Sequence, residues 1–254
     1  MRDLTYPGVI LTAKTGFRVL GQRIHITGAD HVPRTGGVLL AVNHISYVDF
    51  IYGGLAANPS GRRVRFMAKR ELFDHRVSGP VMRSMHHIPV DRAEGEASLR
   101  AATRYLDAGE AVGIFPEATI SRALELKEFK TGAVRIAAET GVPLVPVILW
   151  GTQRMVTKDH PRDLSRGKTI SISVGTPLRP TGADPVAETD ELRRVMGSML
   201  DEAVRAYPAA EQPPGCWWAP RRYGGSAPTL EDAARMDLEE KAERAARRAR
   251  KQGQ

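Results

Sequence analysis

GVLLAVNHISYVDF, residues 37–50, is the stretch on which the fold turns. Its first half is continuously apolar rather than alternating, the pattern of a strand buried on both faces in a parallel sheet. Its second half delivers His44 and, five residues on, Asp49. A strand end that sets an imidazole beside a carboxylate is the chemistry of a general base. The carboxylate fixes the tautomer and stabilises the imidazolium that forms. The same spacing also arises by chance in many chains, so the pair needs a context.

The rest of the chain repeats the pattern. Apolar runs of strand type recur at RIHIT (23–27), VRFMA (64–68), HIPVD (87–91), AVGIFPE (111–117), PLVPVILWG (143–151) and TISISVG (169–175). Helical spacing lies between them. Residues 94–110 put Leu99, Ala102 and Leu106 on one side, residues 129–141 end at Gly141 as a C-cap, and residues 186–206 are amphipathic. Strand and helix in alternation predict an α/β fold: a mostly parallel central sheet flanked by helices. In such sheets reactive groups gather at the carboxyl ends of strands. Asn43 and His44, Lys69, Asp91 and Arg92, and Glu117 each follow a predicted strand end.

Bulk composition sets the remaining bounds. The chain has 254 residues, 42% hydrophobic and 26% charged, which suits a globular protein with a real core. One cysteine, Cys216, excludes an internal disulfide framework and any multi-cysteine metal site. The pair His86 and His87 has no acidic or cysteine partner at ligand spacing, so no metal is expected. Net charge is +8, concentrated at the end: residues 241–251 hold six Lys/Arg and one Glu. Such a tail faces nucleic acid or anionic lipid, or is a solvated helix end. Residues 239–254 lack the interleaved aromatics of a single-strand nucleic-acid binder, and no nucleic-acid partner is expected.

No run approaches the roughly 18 apolar residues of a membrane-spanning helix. Lys14 and Arg18 interrupt the N-terminal apolar run, so a signal peptide is not expected. Val9, Ile10, Ala13, Phe17 and Leu20 fall near one helical face, the spacing of a helix that lies on a surface or docks on a core. Three parts are expected: an amphipathic helical segment over 1–20 that docks on a membrane, a main domain over 21–207, and a Pro/Gly-rich linker with a basic helix over 208–254. Trp217, Trp218 and Tyr223 argue that part of the linker packs on something.

Several motifs together carry a resemblance. NHISYVD (43–49) resembles the Asn-His-x-Ser-x-x-Asp motif of glycerolipid acyltransferases of the PlsC-like, 1-acylglycerol-3-phosphate acyltransferase type. FMAKRELF (66–73) is similar to their second motif, and FPEATIS (115–121) to their Phe-Pro-Glu-Gly-Thr-Arg-Ser motif. IPVDR (88–92) and the run ending in VPLVPV (142–147) follow the family order, and the likeness extends over about residues 20–180.

The resemblance implies roles. His44 would deprotonate the acceptor hydroxyl, with Asp49 orienting it. The hydroxyl would attack the thioester of acyl-CoA or acyl-carrier protein, with no metal, no other cofactor and no covalent enzyme intermediate. Lys69, Glu117 and Arg92 would hold the glycerol-phosphate head. Asn43, Ser46, Thr119 and Ser121 would also face substrate, and Val145 and Pro146 would line the acyl or thioester site. Two positions depart from the family. Ala118 replaces its third-motif Gly and is expected only to adjust a turn. Ile120 replaces its third-motif Arg and cannot contact a phosphate; Arg122, two residues on, is the substitute to test. The expected reaction acylates a lysophospholipid, foremost 1-acylglycerol-3-phosphate, at the cytoplasmic face of the cell membrane, where the protein would be peripheral on anionic lipid. The rival readings are another lysolipid or glycolipid acceptor, or a lipid-binding protein without catalysis.

Overall fold

The computed structural model describes residues 5–76, 78–91 and 95–252. Seven strands form one sheet: β1 (Arg23–Thr27), β2 (Val38–Val42), β3 (Val64–Lys69), β4 (Ile88–Val90), β5 (Ala111–Ile114), β6 (Leu144–Trp150) and β7 (Thr169–Val174). Their order is β1-β7-β6-β2-β5-β3-β4. Every pairing is parallel except β6 with β7. All seven expected strands are present.

The helices are α1 (Tyr6–Val19), α2 (Asp49–Ala56), α3 (Arg70–Asp74), α4 (Ser78–Ser84), α5 (Gly95–Asp107), α6 (Gly132–Thr140), α7 (Pro185–Arg205) and α8 (Leu230–Gln252). Successive strand residues point to opposite faces, which divides the core in two. Leu39, Ala41, Val112, Leu144 and Ile148 pack with α5, α6 and α7. Val38, Leu40, Val42, Ala111, Val145 and Val147 pack with Tyr52 and Ala56 of α2 and with Phe17 and Leu20 near the end of α1. Burial on both faces explains why β2 and β6 read as continuous apolar runs; every residue of both is buried. Each such Val, Leu or Ile contributes about 1.5–3 kcal/mol. A charge placed at Leu40 or Val147 would remove that and bury an unpaired ion.

The N-terminal helix docks on the domain by the face its spacing defines. Val9, Ile10, Ala13, Phe17 and Leu20 are half-buried, while Leu11 and Val19 are exposed. Phe17 lies 5.1 Å from the Tyr52 ring, and the Tyr6 hydroxyl donates to the Val64 carbonyl at 3.0 Å.

Residues 208–229 differ from the linker expected of them. Cys216, Ala219 and Ala227 are buried in the same cluster as α5, α6 and α7, and Trp218 and Tyr223 pack against it. The Trp218 carbonyl accepts from Gln153 at 3.0 Å. Glu211 binds Arg23, Arg154 and Thr169, tying the segment to the β1–β7 edge. Proline and glycine here shape a packed strap. The strap turns α8 back across the loops that follow β5 and β6.

Candidate active site

The carboxyl end of β2 lies between those of β5 and β6's neighbouring loop, and His44 leaves from it. Its Nδ1 is 3.0 Å from Asp49 Oδ2. Asp49 opens α2, whose N-terminal end favours an anion. Its side chain is fully buried, and a buried carboxylate costs several kcal/mol unless its lone pairs are filled. Here they are filled. Oδ2 also accepts from the backbone N–H groups of Ile45 and Ser46, both at 2.7 Å, and Oδ1 accepts from the Thr152 hydroxyl at 2.6 Å. A carboxylate so placed only accepts, so the imidazole proton sits on Nδ1 and Nε2 keeps a lone pair. That is the tautomer of a base.

A ring stack holds the imidazole from the side. His44 lies flat on Phe115 with centroids 4.2 Å apart, and Phe115 stacks on Phe66 at 5.4 Å. An aromatic face favours the cation that forms when His44 takes a proton. Gly113 makes the stack possible, because a Cβ there would stand 2.5 Å from the Phe66 ring.

Several residues expected at the substrate are placed elsewhere. Glu117 is buried, with Oε1 accepting the His44 N–H at 2.8 Å and Oε2 the Lys127 N–H at 3.0 Å. Burial pushes its pKa up to about 7, against the pull of those two N–H groups and of Lys127. It braces the His44 loop to the loop after β5. Ser121 acts in the same joint: its N–H donates to the His44 carbonyl at 2.8 Å and its hydroxyl to the Glu125 carbonyl at 2.7 Å. Asn43 bonds both backbone groups of Leu149, extending the β2–β6 pairing by a side chain. Ser46 donates to the Val156 carbonyl at 2.6 Å. Val145 and Pro146 are buried inside β6. The common cause is backbone arithmetic: strand-end loops leave N–H and C=O groups buried, and nearby polar side chains satisfy them.

The expected cations divide. Lys69 is exposed at the end of β3, two strands from β2. Arg92 lies outside the described residues. Arg122 is 6% exposed at its side chain and is bound to Asp159 and to Asp237 and Glu240 of α8. Thr119 accepts from Lys127 Nζ at 2.7 Å. Ile120 is buried. Ala118 adopts φ 59°, the left-handed region, so the turn demands what glycine does freely rather than a mere adjustment.

Four contributors escaped the sequence reading. Thr152 follows the end of β6, the one strand end in this region left out of the polar tally. Gly151 before it has φ 101°, and a Cβ there would meet the Thr169 carbonyl oxygen at 2.2 Å. Phe115 belongs to the FPEATIS motif, but an aromatic residue there gives no sequence sign that it stacks on an imidazole. Lys127 and Lys158 carry no motif signal, and only the return of α8 reveals their setting.

Similarity to known proteins agrees with this geometry. A family profile described as Acyltransferase matches residues 23–150, the span from the start of β1 to the end of β6. The chain is 32% identical over 171 residues to a 1-acyl-sn-glycerol-3-phosphate acyltransferase of Bacillus subtilis, covering 67% of this chain and 77% of that protein. It is 29% identical over 183 residues to a chloroplastic 1-acyl-sn-glycerol-3-phosphate acyltransferase of Arabidopsis thaliana, of whose length the match spans 49%. The crystal structure of PlsC, the 1-acyl-sn-glycerophosphate acyltransferase of Thermotoga maritima, superposes with a TM-score of 0.64 over 81% of this chain and 91% of that one, at 22% identity, and shows the shared fold. With the matched span running through His44, Asp49 and Glu117, this chain belongs to the acyltransferase family.

Proposed function

We propose that the protein transfers a fatty acyl group from an acyl thioester to the free hydroxyl of 1-acylglycerol-3-phosphate, forming phosphatidate. The observation that carries this is the His44–Asp49 pair, with Asp49 held by four hydrogen bonds and Nε2 left as the acceptor of a proton. Nε2 of His44 removes the proton from the acceptor hydroxyl as its oxygen attacks the thioester carbonyl. The tetrahedral intermediate then collapses: the C–S bond breaks, the ester C–O bond remains, and the thiolate takes the proton back from the imidazolium. A thioester is already activated, so a positioned base suffices, and the reaction as proposed uses no cofactor beyond its acyl-CoA or acyl-carrier protein co-substrate.

The setting is a membrane surface, on the cytoplasmic side where acyl thioesters are made. A two-tailed product leaves for water at about 0.8 kcal/mol per exposed methylene, which favours work at the bilayer. Among the described residues no helix is long and apolar enough to cross a membrane. Tyr47 between the reactive pair, Phe50 just after it, and Leu72 and Val81 of α3 and α4 are exposed, as is Leu11 of α1. With a net charge of +8 they suit peripheral docking on anionic lipid.

Acyl transfer from palmitoyl-CoA and from palmitoyl-carrier protein, offered lysophosphatidate and other lysophospholipids in parallel, tests the reading. Phosphatidate is expected, with His44→Ala slowed about 10²–10⁴-fold. A second reading is favoured by Ile120, buried where the resemblance expects an arginine: the acceptor is a lysolipid with less charge. Transfer to lysophosphatidylcholine alone would select it, and no transfer to any acceptor would sink both.

A further inference from the structure

Where α8 crosses the loops behind His44, three cations meet two carboxylates. Each cation is tied to the reactive loop through the backbone. Arg122 follows Ser121, whose N–H holds the His44 carbonyl. Lys158 follows Thr157, whose hydroxyl donates to the Ile45 carbonyl at 2.7 Å. The Lys127 N–H holds Glu117, the same carboxylate that takes the His44 N–H. Arg122 and Lys158 are poorly exposed, at 6% and 12% of their side-chain areas. Charges that far from water need partners.

The partners come from α8. Asp237 accepts from Arg122, from Lys127 and, at 3.0 Å, from Lys158. Glu240 accepts from Arg122 at 2.9 Å and from Lys158 at 3.1 Å, with Arg244 of α8 itself on its other oxygen. Burial would raise both acids, but the hydrogen bonds from these cations outweigh it and hold both below the usual carboxylate range. They are ionised. Asp159 is the remaining acid on Arg122, and it belongs to the body of the domain. Three cations less Asp159 leave a net +2 once α8 is taken away; Asp237 and Glu240 set two carboxylates against it, with Arg244 of α8 on the far oxygen of Glu240. A phosphomonoester carries about −1.5 to −2 near neutral pH and presents three acceptor oxygens. A cavity of about 290 Å³ opens beside the cluster, lined by Tyr47, Arg122, Lys158 and Asp159 on one side and by Met236, Glu239, Glu240 and Glu243 of α8 on the other. Tyr47 lies between His44 and Asp49 in the chain, so the space borders the reactive loop.

We propose that Arg122, Lys127 and Lys158 form a binding site for a phosphomonoester dianion, and that Asp237 and Glu240 of α8 occupy it in place of the phosphate. The use of the site in catalysis rests on the acyltransferase reading, which supplies two sources of that group: the head of the lysophosphatidate acceptor and the 3′-phosphate of CoA. In this arrangement α8 is a strap that its own substrate displaces.

The test is calorimetric titration of the full-length chain with inorganic phosphate. The double variant Asp237→Asn/Glu240→Gln is expected to bind phosphate at least tenfold more tightly than wild type, and adding Lys158→Gln is expected to abolish the gain. Glu240→Gln alone, which leaves Asp237 in place, is expected to shift affinity in the same direction by less, and serves if the double variant does not fold. Competition then separates the sources: displacement by lysophosphatidate assigns the acceptor, displacement by adenosine 3′,5′-bisphosphate assigns the donor, and displacement by neither overturns the proposal. Phosphate affinity unchanged in folded variants overturns it too. The outcome is independent of the enzymatic reading. Unmasked phosphate binding without acyl transfer would remove the reaction and keep the site, whereas acyl transfer without unmasked binding would do the reverse.

Discussion

Asp49 and Asp237 are both carboxylates with several partners, and they are held in opposite ways. Asp49 is fully buried, and its donors are two backbone N–H groups, a buried hydroxyl and an imidazole, all fixed by the ends of β2 and β6. Asp237 is 23% exposed at its side chain and is held by two lysines and an arginine, whose long stems move. Backbone donors cannot rotate away, and salt does not screen them. Ion pairs near the surface are screened within about 8 Å at physiological ionic strength and are individually worth little. The first arrangement suits a group that must never move. The second suits a contact that comes apart.

The comparison can be broken at its strongest point first. Asp49→Asn keeps the size, and its one oxygen can take the place of Oδ2, but it carries no charge to stabilise the imidazolium and turns an NH2 toward the Thr152 hydroxyl. Activity is expected to fall by about 10²–10⁴, the range of a lost general base. A variant that melts like wild type yet keeps more than a tenth of kcat/KM would show that the pair does not carry the reaction. Thr152→Val is isosteric and removes only the donor to Oδ1. It leaves that buried oxygen unsatisfied, so a loss of about 1–3 kcal/mol in unfolding free energy is expected, readable in a urea melt, with activity down by about tenfold.

Glu117 sharpens the contrast through pH. Its folded pKa of about 7 lies above the ordinary 4.5, so the folded state holds its proton more tightly than the unfolded one. That contribution to stability is full below about pH 4.5 and is lost as pH rises through about 7. Glu117→Gln has no such proton. The stability of wild type relative to this variant is therefore expected to decline between pH 4.5 and 8 in denaturant titrations; a flat or rising difference would mean that the two N–H groups keep Glu117 ionised. The smallest effect belongs to Ala118→Gly. Left-handed backbone costs a residue with a Cβ about 1–2 kcal/mol, part of which glycine returns as chain entropy, so a gain of about 0.5–1 kcal/mol is expected. Equal midpoints would show that the turn relaxes to suit alanine.

The central strands β2 and β6 were legible because burial on both faces leaves nothing for a polar residue to do in them, while β1 keeps Arg23, His25 and Thr27 exposed in alternation with two apolar positions. β1 coincides with its apolar run, residues 23–27, and the others differ at their ends. The His44–Asp49 pair was legible because the separation is short and the loop between them brings the two together on its own. Glu117, Ser121, Asn43 and Ser46 were identified as important positions but assigned to a substrate, because a polar residue in a motif gives no sign of whether it faces a ligand or the backbone. Val145 and Pro146 raise a related point: an apolar run at a strand reads alike whether it lines a pocket or a core, and both are buried in β6. Arg122 was singled out as the stand-in for the missing arginine, but its partners Asp237 and Glu240 lie more than a hundred residues away in the chain.

What the amino-acid order determined by itself is therefore the local part: seven strands, their mostly parallel character, and a histidine with its carboxylate at a strand end. Each depends on neighbours within a few residues, where hydrophobic periodicity and chain geometry leave few choices. What only the tertiary structure decided is which polar groups turn inward, the fourth bond to Asp49 from Thr152, and the return of α8 onto Arg122, Lys127 and Lys158. Those depend on which buried backbone groups lack partners and on which charges are brought together once the sheet has closed, and no local rule in the chain records either.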